Sequence, residues 1–342
     1  MNAASRQSPF PTSRLRRVCD AASLRWATCG VGVTLLGGCG GIQSTFSAYG
    51  AEAESTRTLT WAMVVATTLI TIGVGWLALH AVRTPAGRLD HQGGMRVILW
   101  LGAVIPTLYL TVLLVSSLPT MRSLEAKAGD LEIAVDGKQF WWRVQYRPAG
   151  GQAVETANEI RVPVGRTVSF SLASPDVIHS FWIPGLAGKV DMIPGRTNKL
   201  VVLATEAGNY RGVCAEFCGL SHARMAFDVV AMEQDAFDQW LVENARPAAA
   251  SNRPGRQLFE EYGCGGCHGV RGHFAGNPIG PDLTHFGSRR SVGAGTLPMS
   301  PESIRGFIRD PSASKPGSLM PSFAEMSTED AQAIATYLAE LQ

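Results

Sequence analysis

Apolar and polar positions divide the chain into stretches of different period. From Leu59 to Leu79, and again from Val97 to Leu118, no charged side chain occurs, and each run reaches the roughly 20 residues that a helix needs to cross hydrocarbon. The pattern predicts two transmembrane helices, over about 59–81 and 97–118, in a hairpin covering 39–121. Pro106 is tolerable inside the second where neighbouring helices satisfy the freed carbonyl. The period then shortens. β-favouring runs occur at Leu131–Val135, Phe140–Tyr146, Glu159–Val162, Thr167–Leu172, Lys199–Leu203, Asn209–Val213 and Ala226–Ala231. Turn residues separate them, as in Asp136-Gly137, Pro148–Gly151, Pro163–Gly165 and Pro194-Gly195. Strands at that density predict a β-sandwich over 122–245. Residues 246–254 have no apolar period and read as a Pro/Ala/polar linker. Helices are predicted beyond it over Gly255–Tyr262, Pro301–Arg309 and from Ser327 to the terminus. In the last, Ile334, Tyr337, Leu338 and Leu341 fall on one face, and Ser327 suits an N-cap. The fold class expected is a multidomain membrane protein: a two-helix hairpin, a β-sandwich and an all-α domain at 255–342.

The first 38 residues read as a secretory signal, with Arg14, Arg16 and Arg17 before a short apolar stretch from Trp26 to Gly38. The end of that stretch, Leu36-Gly37-Gly38-Cys39, resembles a bacterial lipobox, which makes Cys39 the lipidated first residue after cleavage. An ordinary signal cut or an uncleaved anchor is the alternative. Between the spans, Arg83, Arg88 and Arg96 outnumber Asp90, so the positive-inside rule puts that loop in the cytoplasm and everything after Leu118 outside. Composition agrees: of 342 residues, 46% are apolar and 17% charged. The net charge of +2 conceals an asymmetry. Residues 1–121 hold nine Lys/Arg against four Asp/Glu, 122–250 thirteen against fifteen, and 251–342 eight against nine. Neither outer region has the clustered cations of a nucleic-acid footprint, so no nucleic-acid partner is expected.

Two segments carry the chemistry. Cys214-Ala215-Glu216-Phe217-Cys218-Gly219-Leu220-Ser221-His222-Ala223-Arg224-Met225 packs two thiols, an imidazole and a thioether into twelve residues. Soft donors select copper over magnesium or calcium. His179, after a predicted strand, is the natural remote ligand. A mononuclear blue-copper site uses one Cys, two His and a weak Met; here a second Cys lets two thiolates bridge two copper ions. Each ion is then finished by one His and one weak ligand, and the backbone carbonyl of Glu216 is placed to be the second weak ligand. A Cys214–Cys218 disulfide or a Cys₂His₂ zinc site could use similar spacing. Further on, Cys264-Gly265-Gly266-Cys267-His268 reads C-x-x-C-H, the attachment sequence of c-type haem with His268 as an axial ligand. A thioredoxin-type dithiol would belong near a βαβ pattern, which is lacking. Met299, Met320, Met326, His273 and His285 compete for the sixth iron position; Met320, before Pro321 in a loop leading to the final helix, is preferred.

With these motifs in view, the stretch from about 39 to 245 resembles subunit II of bacterial cytochrome c oxidase. The likeness rests on His179-Ser180-Phe181-Trp182-Ile183-Pro184, on Lys189-Val190-Asp191-Met192-Ile193-Pro194-Gly195-Arg196 and on Cys214 to Met225. It implies a cupredoxin-like β-sandwich whose binuclear copper A centre is held by His179, Cys214, the Glu216 carbonyl, Cys218, His222 and Met225. It also implies a magnesium ion met by the Glu216 carboxylate at the boundary with subunit I. The stretches Gly280–Phe286 and Lys315-Pro316-Gly317-Ser318-Leu319-Met320-Pro321 resemble cytochrome c domains fused to such subunits, which again points to Met320. Two departures stand out. Where the family has Gly-His-Gln-Trp, this chain has Gly137-Lys138-Gln139-Phe140, so electron acceptance at the surface falls to Phe140, Trp141 or Trp142. No acid lies between Asp90 and Glu125, where many relatives carry a glutamate for proton uptake. The resemblance implies the electron-input subunit of a terminal haem-copper oxidase in the bacterial inner membrane, with its copper and haem domains on the periplasmic face. Its expected partners are subunits I and III and a cytochrome or other periplasmic or membrane electron donor. The alternatives are the input subunit of a copper A nitric oxide reductase and a non-enzymatic copper carrier or redox sensor.

Overall fold

A computed structural model describes residues 41, 43–85, 91–125, 131–148, 153–249, 253–276 and 279–342. The expected signal and Cys39 lie outside the described residues. Helix α1 (Ala51–Arg83) and the helical stretch His91–Pro119 are each long and apolar enough to cross a membrane. The second stretch comprises α2 (His91–Leu99), a π-helical turn (Trp100–Val104) and α3 (Ile105–Glu125). The widened turn falls where Pro106, lacking an N–H, removes a rung of the ladder. At 33 residues α1 is about 50 Å long, longer than the uncharged run alone. Its first turn, carrying Glu52 and Glu54, suits the positive end of the helix dipole and is clipped to the sandwich. Tyr49 N–H donates to Gly185 O (2.8 Å) and Thr205 N–H to Tyr49 O (2.9 Å). A Cβ at Gly50 would sit 2.2 Å from Leu186 O, so the chain approaches there only as glycine.

Among the described residues the sandwich has ten strands: β1 (Leu131–Lys138), β2 (Trp141–Arg147), β3 (Val154–Ala157), β4 (Glu159–Pro163), β5 (Thr167–Ala173), β6 (His179–Trp182), β7 (Val190–Met192), β8 (Asn198–Leu203), β9 (Gly208–Cys214) and β10 (Ala226–Met232). One sheet runs β3-β2-β1-β5-β8, the other β4-β10-β9-β6-β7. In β1, Leu131, Ile133 and Val135 point inward alternately, as a half-buried strand requires. Trp142, fully buried, packs edge-on against Phe181 and Phe227 at 5.7 and 5.0 Å between ring centres. Burying each such side chain contributes about 1.5–3 kcal/mol.

Two expectations change here. Asp136-Gly137 is not a turn: β1 continues through it to Lys138, and the glycine is needed because a Cβ would lie 3.0–3.2 Å from the His179 side chain. His179 does follow the predicted strand, β5, but also opens a further one, β6. A further helix, α4 (Gln234–Asn244), closes the sandwich, with Trp240 5.1 Å from Tyr146.

The C-terminal region contains α5 (Arg253–Glu261), α6 (Pro301–Arg309), α7 (Pro311–Ser314) and α8 (Thr328–Glu340). It also has a small hairpin of β11 (Ser291–Val292) and β12 (Leu297–Pro298), which a purely helical reading omits. Ser327 caps α8 by accepting a hydrogen bond from Asp330 N–H at 3.0 Å. The apolar face of α8, Ile334, Tyr337, Leu338 and the following Leu341, is buried. Part of the expected linker is not free: Ala248 N–H donates to Arg271 O, and the His285 ring to Arg246 O.

Candidate metal centre and adjoining cavity

Strand pairing assembles the donors. β6 lies beside β9 with Phe181 opposite Cys214, which brings His179 to the end of the strand that carries the first cysteine. Cys214 Sγ is 3.8 Å from His179 Nδ1, 3.2 Å from the Glu216 carbonyl oxygen and 3.9 Å from Cys218 Sγ. Cys218 Sγ is in turn 3.8 Å from His222 Nδ1 and from Met225 Sδ. All six donors predicted for a copper pair therefore converge. The two thiols are free rather than joined. His179, Cys214, Cys218 and Met225 are buried, whereas the Glu216 carboxylate side is exposed.

Asp176 organises one side of the cluster. Its carboxylate accepts from His179 Nε2 at 2.9 Å, from Gln139 N–H at 2.7 Å and from Val177 N–H at 2.6 Å. The Nε2 contact leaves Nδ1 turned to Cys214, and such a partner fixes tautomer and ring orientation. Burial opposes charge on His179, but the hydrogen bonds to Asp176 and Cys214 outweigh it and raise the imidazole to about 9. Burial likewise opposes ionisation of Asp176, but His179 and the two backbone donors bring it down to about 2. The Cys218 thiol lowers Cys214 to about 3 against the cost of burial, whereas Cys218 itself is pushed up because it faces Cys214. Losing one thiol proton is easy and losing the second is not. Cations reverse that balance, since a coordinating thiol is deprotonated outright. The donor set and its charge thus fit a thiolate-bridged copper pair.

A pH prediction follows for the metal-free protein. The raised His179 contributes stability in full below its ordinary 6.5, and that is lost as pH climbs to about 9. The lowered Asp176 contributes above its ordinary 3.8, and that is lost as pH falls to about 2. Relative to Asp176→Asn, the copper-free protein should therefore gain most thermal stability between these ordinary values, and that difference should narrow on both sides. An unchanged profile in the variant would show that the pair contributes nothing.

Next to this cluster lies an apolar cavity that encloses, with its open mouth, about 1370 Å³. Cys264, Cys267 and His268 line one side, and Met320 lines it too. The His268 ring donates through Nδ1 to Pro281 O at 2.9 Å, which leaves Nε2 for iron. Burial, partly offset by that carbonyl, lowers its pKa and keeps the ring neutral. A Cβ at Gly280 would lie 2.6 Å from the His268 ring, so the approach needs glycine. The other sixth-ligand candidates are engaged elsewhere. Met326, in the core, and Met299 do not line the cavity, His273 bonds Tyr337 Oη at 2.8 Å, and His285 bonds Arg246 O. Two thiols, a neutral imidazole and a thioether around one apolar space fit a covalent haem.

Family profiles match both regions: "Cytochrome C oxidase subunit II, periplasmic domain" over residues 138–232 and "Cytochrome c" over 253–342. Cytochrome c oxidase subunit 2 of Alkalihalophilus pseudofirmus is 40% identical over 250 residues, covering 70% of this chain and 71% of that protein. The chain belongs to the cytochrome c oxidase subunit 2 family. The subunit 2 of Bacillus sp. strain PS3 is 31% identical over 261 residues, 72% of each chain. Among solved structures, the periplasmic domain of subunit II of cytochrome oxidase (CoxB) of Bradyrhizobium japonicum is 30% identical. It covers 34% of this chain and 95% of its own, with a TM-score of 0.33. A subunit 2 sandwich carrying this donor cluster implies copper A, and the fused cytochrome c domain implies haem c.

For a subunit 2 with a fused cytochrome, the expected surface aromatics are placed unexpectedly. Phe140 is 6% exposed and packs between Gly219, next to Cys218, and Gly317, in the Met320 loop. It and Trp141 line the haem cavity, while Trp142 is fully buried beside His179. Gln139 reaches across to donate to Cys218 O at 2.5 Å. Its backbone N–H is held as well, by Asp176 Oδ2 at 2.7 Å, so the sandwich itself fixes its position.

Proposed function

We propose that this chain is the electron-input subunit of a terminal haem-copper oxidase, receiving electrons from an external donor and delivering them to subunit I. A haem held by Cys264, Cys267, His268 and Met320 and a copper pair held by His179, Cys214, the Glu216 carbonyl, Cys218, His222 and Met225 would supply one-electron carriage. The chain's own residues fix their separation, exclude water and set their charge. The observation that carries this reading is the shared wall: Gln139 and Phe140 border the cavity on one face and meet Cys218 and Gly219 on the other. Phe140 and Trp141 therefore serve between the two centres rather than as an outer landing site. The burial of His179, Cys214 and Cys218 disfavours a copper carrier, which needs an open, exchangeable site. The two long apolar helices hold the chain in the bacterial inner membrane with both redox domains on the outer face. The exposed Glu216 carboxylate is the candidate for magnesium at the subunit I boundary, and subunit III completes the assembly by family resemblance.

The test is co-purification with a haem-copper subunit I, followed by metal and haem analysis and oxygen uptake with a reduced donor. Two coppers and one covalent haem per chain, with oxygen consumption, are expected. A single labile copper, or nitric oxide consumed in place of oxygen, would overturn the assignment.

A further inference from the structure

The side chain of Lys315 is out of place for a lysine. It is 4% exposed, and lysine is almost never buried without a paired charge. Its Nζ has two carbonyl acceptors instead, Arg224 O at 2.6 Å and Gly293 O at 2.9 Å. One lies in the sandwich, in the residue before the ligand Met225. The other belongs to the turn between β11 and β12 of the cytochrome domain. Around it the two loops exchange further bonds. Ser221 Oγ donates to Pro316 O at 2.6 Å, Arg224 Nη1 to Ser314 O, and Thr296 Oγ1 to Arg224 O at 3.2 Å. Gly317, at φ +76°, turns the loop back so that a Cβ there would meet Leu220 at 3.2 Å and Phe140 at 3.3 Å. Three residues on, the same loop supplies Met320 to the cavity.

We propose that Lys315 is a positioning residue that locks the loop bearing the axial methionine onto the loop bearing the copper ligands, so that transfer between the two centres proceeds from one docked arrangement. An isolated surface would not require this. A tether alone raises effective concentration but leaves orientation to diffusion, whereas a buried amino group held by two fixed carbonyl acceptors specifies one register. More bonds reinforce the docking away from the centres: Arg290 N–H donates to Glu159 Oε2 at 2.9 Å and Ser291 Oγ to Asp228 Oδ2 at 2.7 Å. Lys315 is distinct from these in touching both redox loops at once. Its role in transfer rests on the proposed electron relay, but its role as a lock does not.

The test compares Lys315→Met with the unaltered full chain, haem- and copper-loaded, in complex with subunit I. Amide hydrogen exchange should accelerate together in residues 221–226 and 314–320 by about tenfold or more, the scale of losing two buried hydrogen bonds. The absorption bands of the axial methionine and of the copper pair should persist, while the haem-to-copper transfer rate falls by about tenfold and becomes sensitive to salt. Should Lys315→Met fail to accumulate, Ser221→Ala must show the same paired acceleration. Exchange and transfer unchanged in a folded variant would overturn the lock. Paired acceleration in a complex whose unaltered form shows no haem-to-copper transfer would keep the lock and overturn the relay.

Discussion

Replacing Cys218 by serine should reduce copper from two per chain to at most one and abolish the near-infrared band of the pair, while leaving covalent haem unchanged. Cys218 Sγ is the junction of the cluster, within 3.9 Å of Cys214 Sγ and 3.8 Å of both His222 Nδ1 and Met225 Sδ. A serine hydroxyl is a hard donor that stays protonated and cannot bridge two copper ions, for which soft thiolate is the selective ligand. His222 and Met225 would then lose their common neighbour. Haem attachment should survive because Cys264 and Cys267 line a cavity beside a separate core built from α5, α6 and α8. Metal analysis and absorption spectra of the purified subunit check this. Two coppers retained with an unaltered band would remove Cys218 from the ligand set.

The donors of that cluster were legible because their chemistry is local: five of the six lie between Cys214 and Met225, and His179 joins through one strand pairing. Periodicity served the helices equally well. Pro301–Arg309 has the predicted bounds and Ser327 caps the last helix, since amphipathic spacing and capping are properties of consecutive residues. The four-residue β3 and β6 and the three-residue β7 lie outside the predicted runs because so short a run carries no countable alternation. What failed more instructively were residues whose environment is set by distant chain. Gly137 looked like a turn glycine and is instead a strand residue that leaves room for the His179 ring. Phe140 looked like a surface aromatic until the cytochrome domain covered it with Gly317. Lys315 has no local mark at all, because its burial exists only once two domains meet. Local pattern therefore identified both centres, whereas the contact between them had to be read from the fold.

The docking also changes what fusion accomplishes. A cytochrome on a flexible linker would favour transfer through concentration alone; here residues 246–248 already lie against the cytochrome domain, and the 221–224 and 314–316 loops hydrogen-bond across the boundary. On the proposed relay, an external donor would meet the cytochrome domain first, because Phe140 is covered. The mildly acidic count of the two outer regions supplies no strong charge of its own to steer that encounter.

Gly255→Ala should destabilise the cytochrome domain by about 3 kcal/mol, the upper end for overpacking. An ideal Cβ at that position lies 2.2 Å from Ala333 O, 2.7 Å from Tyr337 Cβ and 2.9 Å from Ala333 C. Two of these three atoms are backbone of α8, so no rotamer change relieves the clash and the helices must separate. Alanine's better helix propensity returns at most about 1 kcal/mol. For a domain of this size each 1 kcal/mol moves the melting temperature by roughly 4–8 °C, so the shift should exceed 10 °C. Separation would open the cavity, since Phe259 on α5 and Ile334 and Leu338 on α8 line it. The axial-methionine band should therefore fade below the melting transition, while the thioether bonds hold the haem on the chain. Gly306→Ala is the control: it sits in α6 with no atom within 4 Å of its Cβ and no positive φ. That substitution should leave stability unchanged or raise it by about 0.4–1 kcal/mol. Thermal melts followed at the haem absorption distinguish the two, and equal melting temperatures would refute the close crossing of α5 and α8.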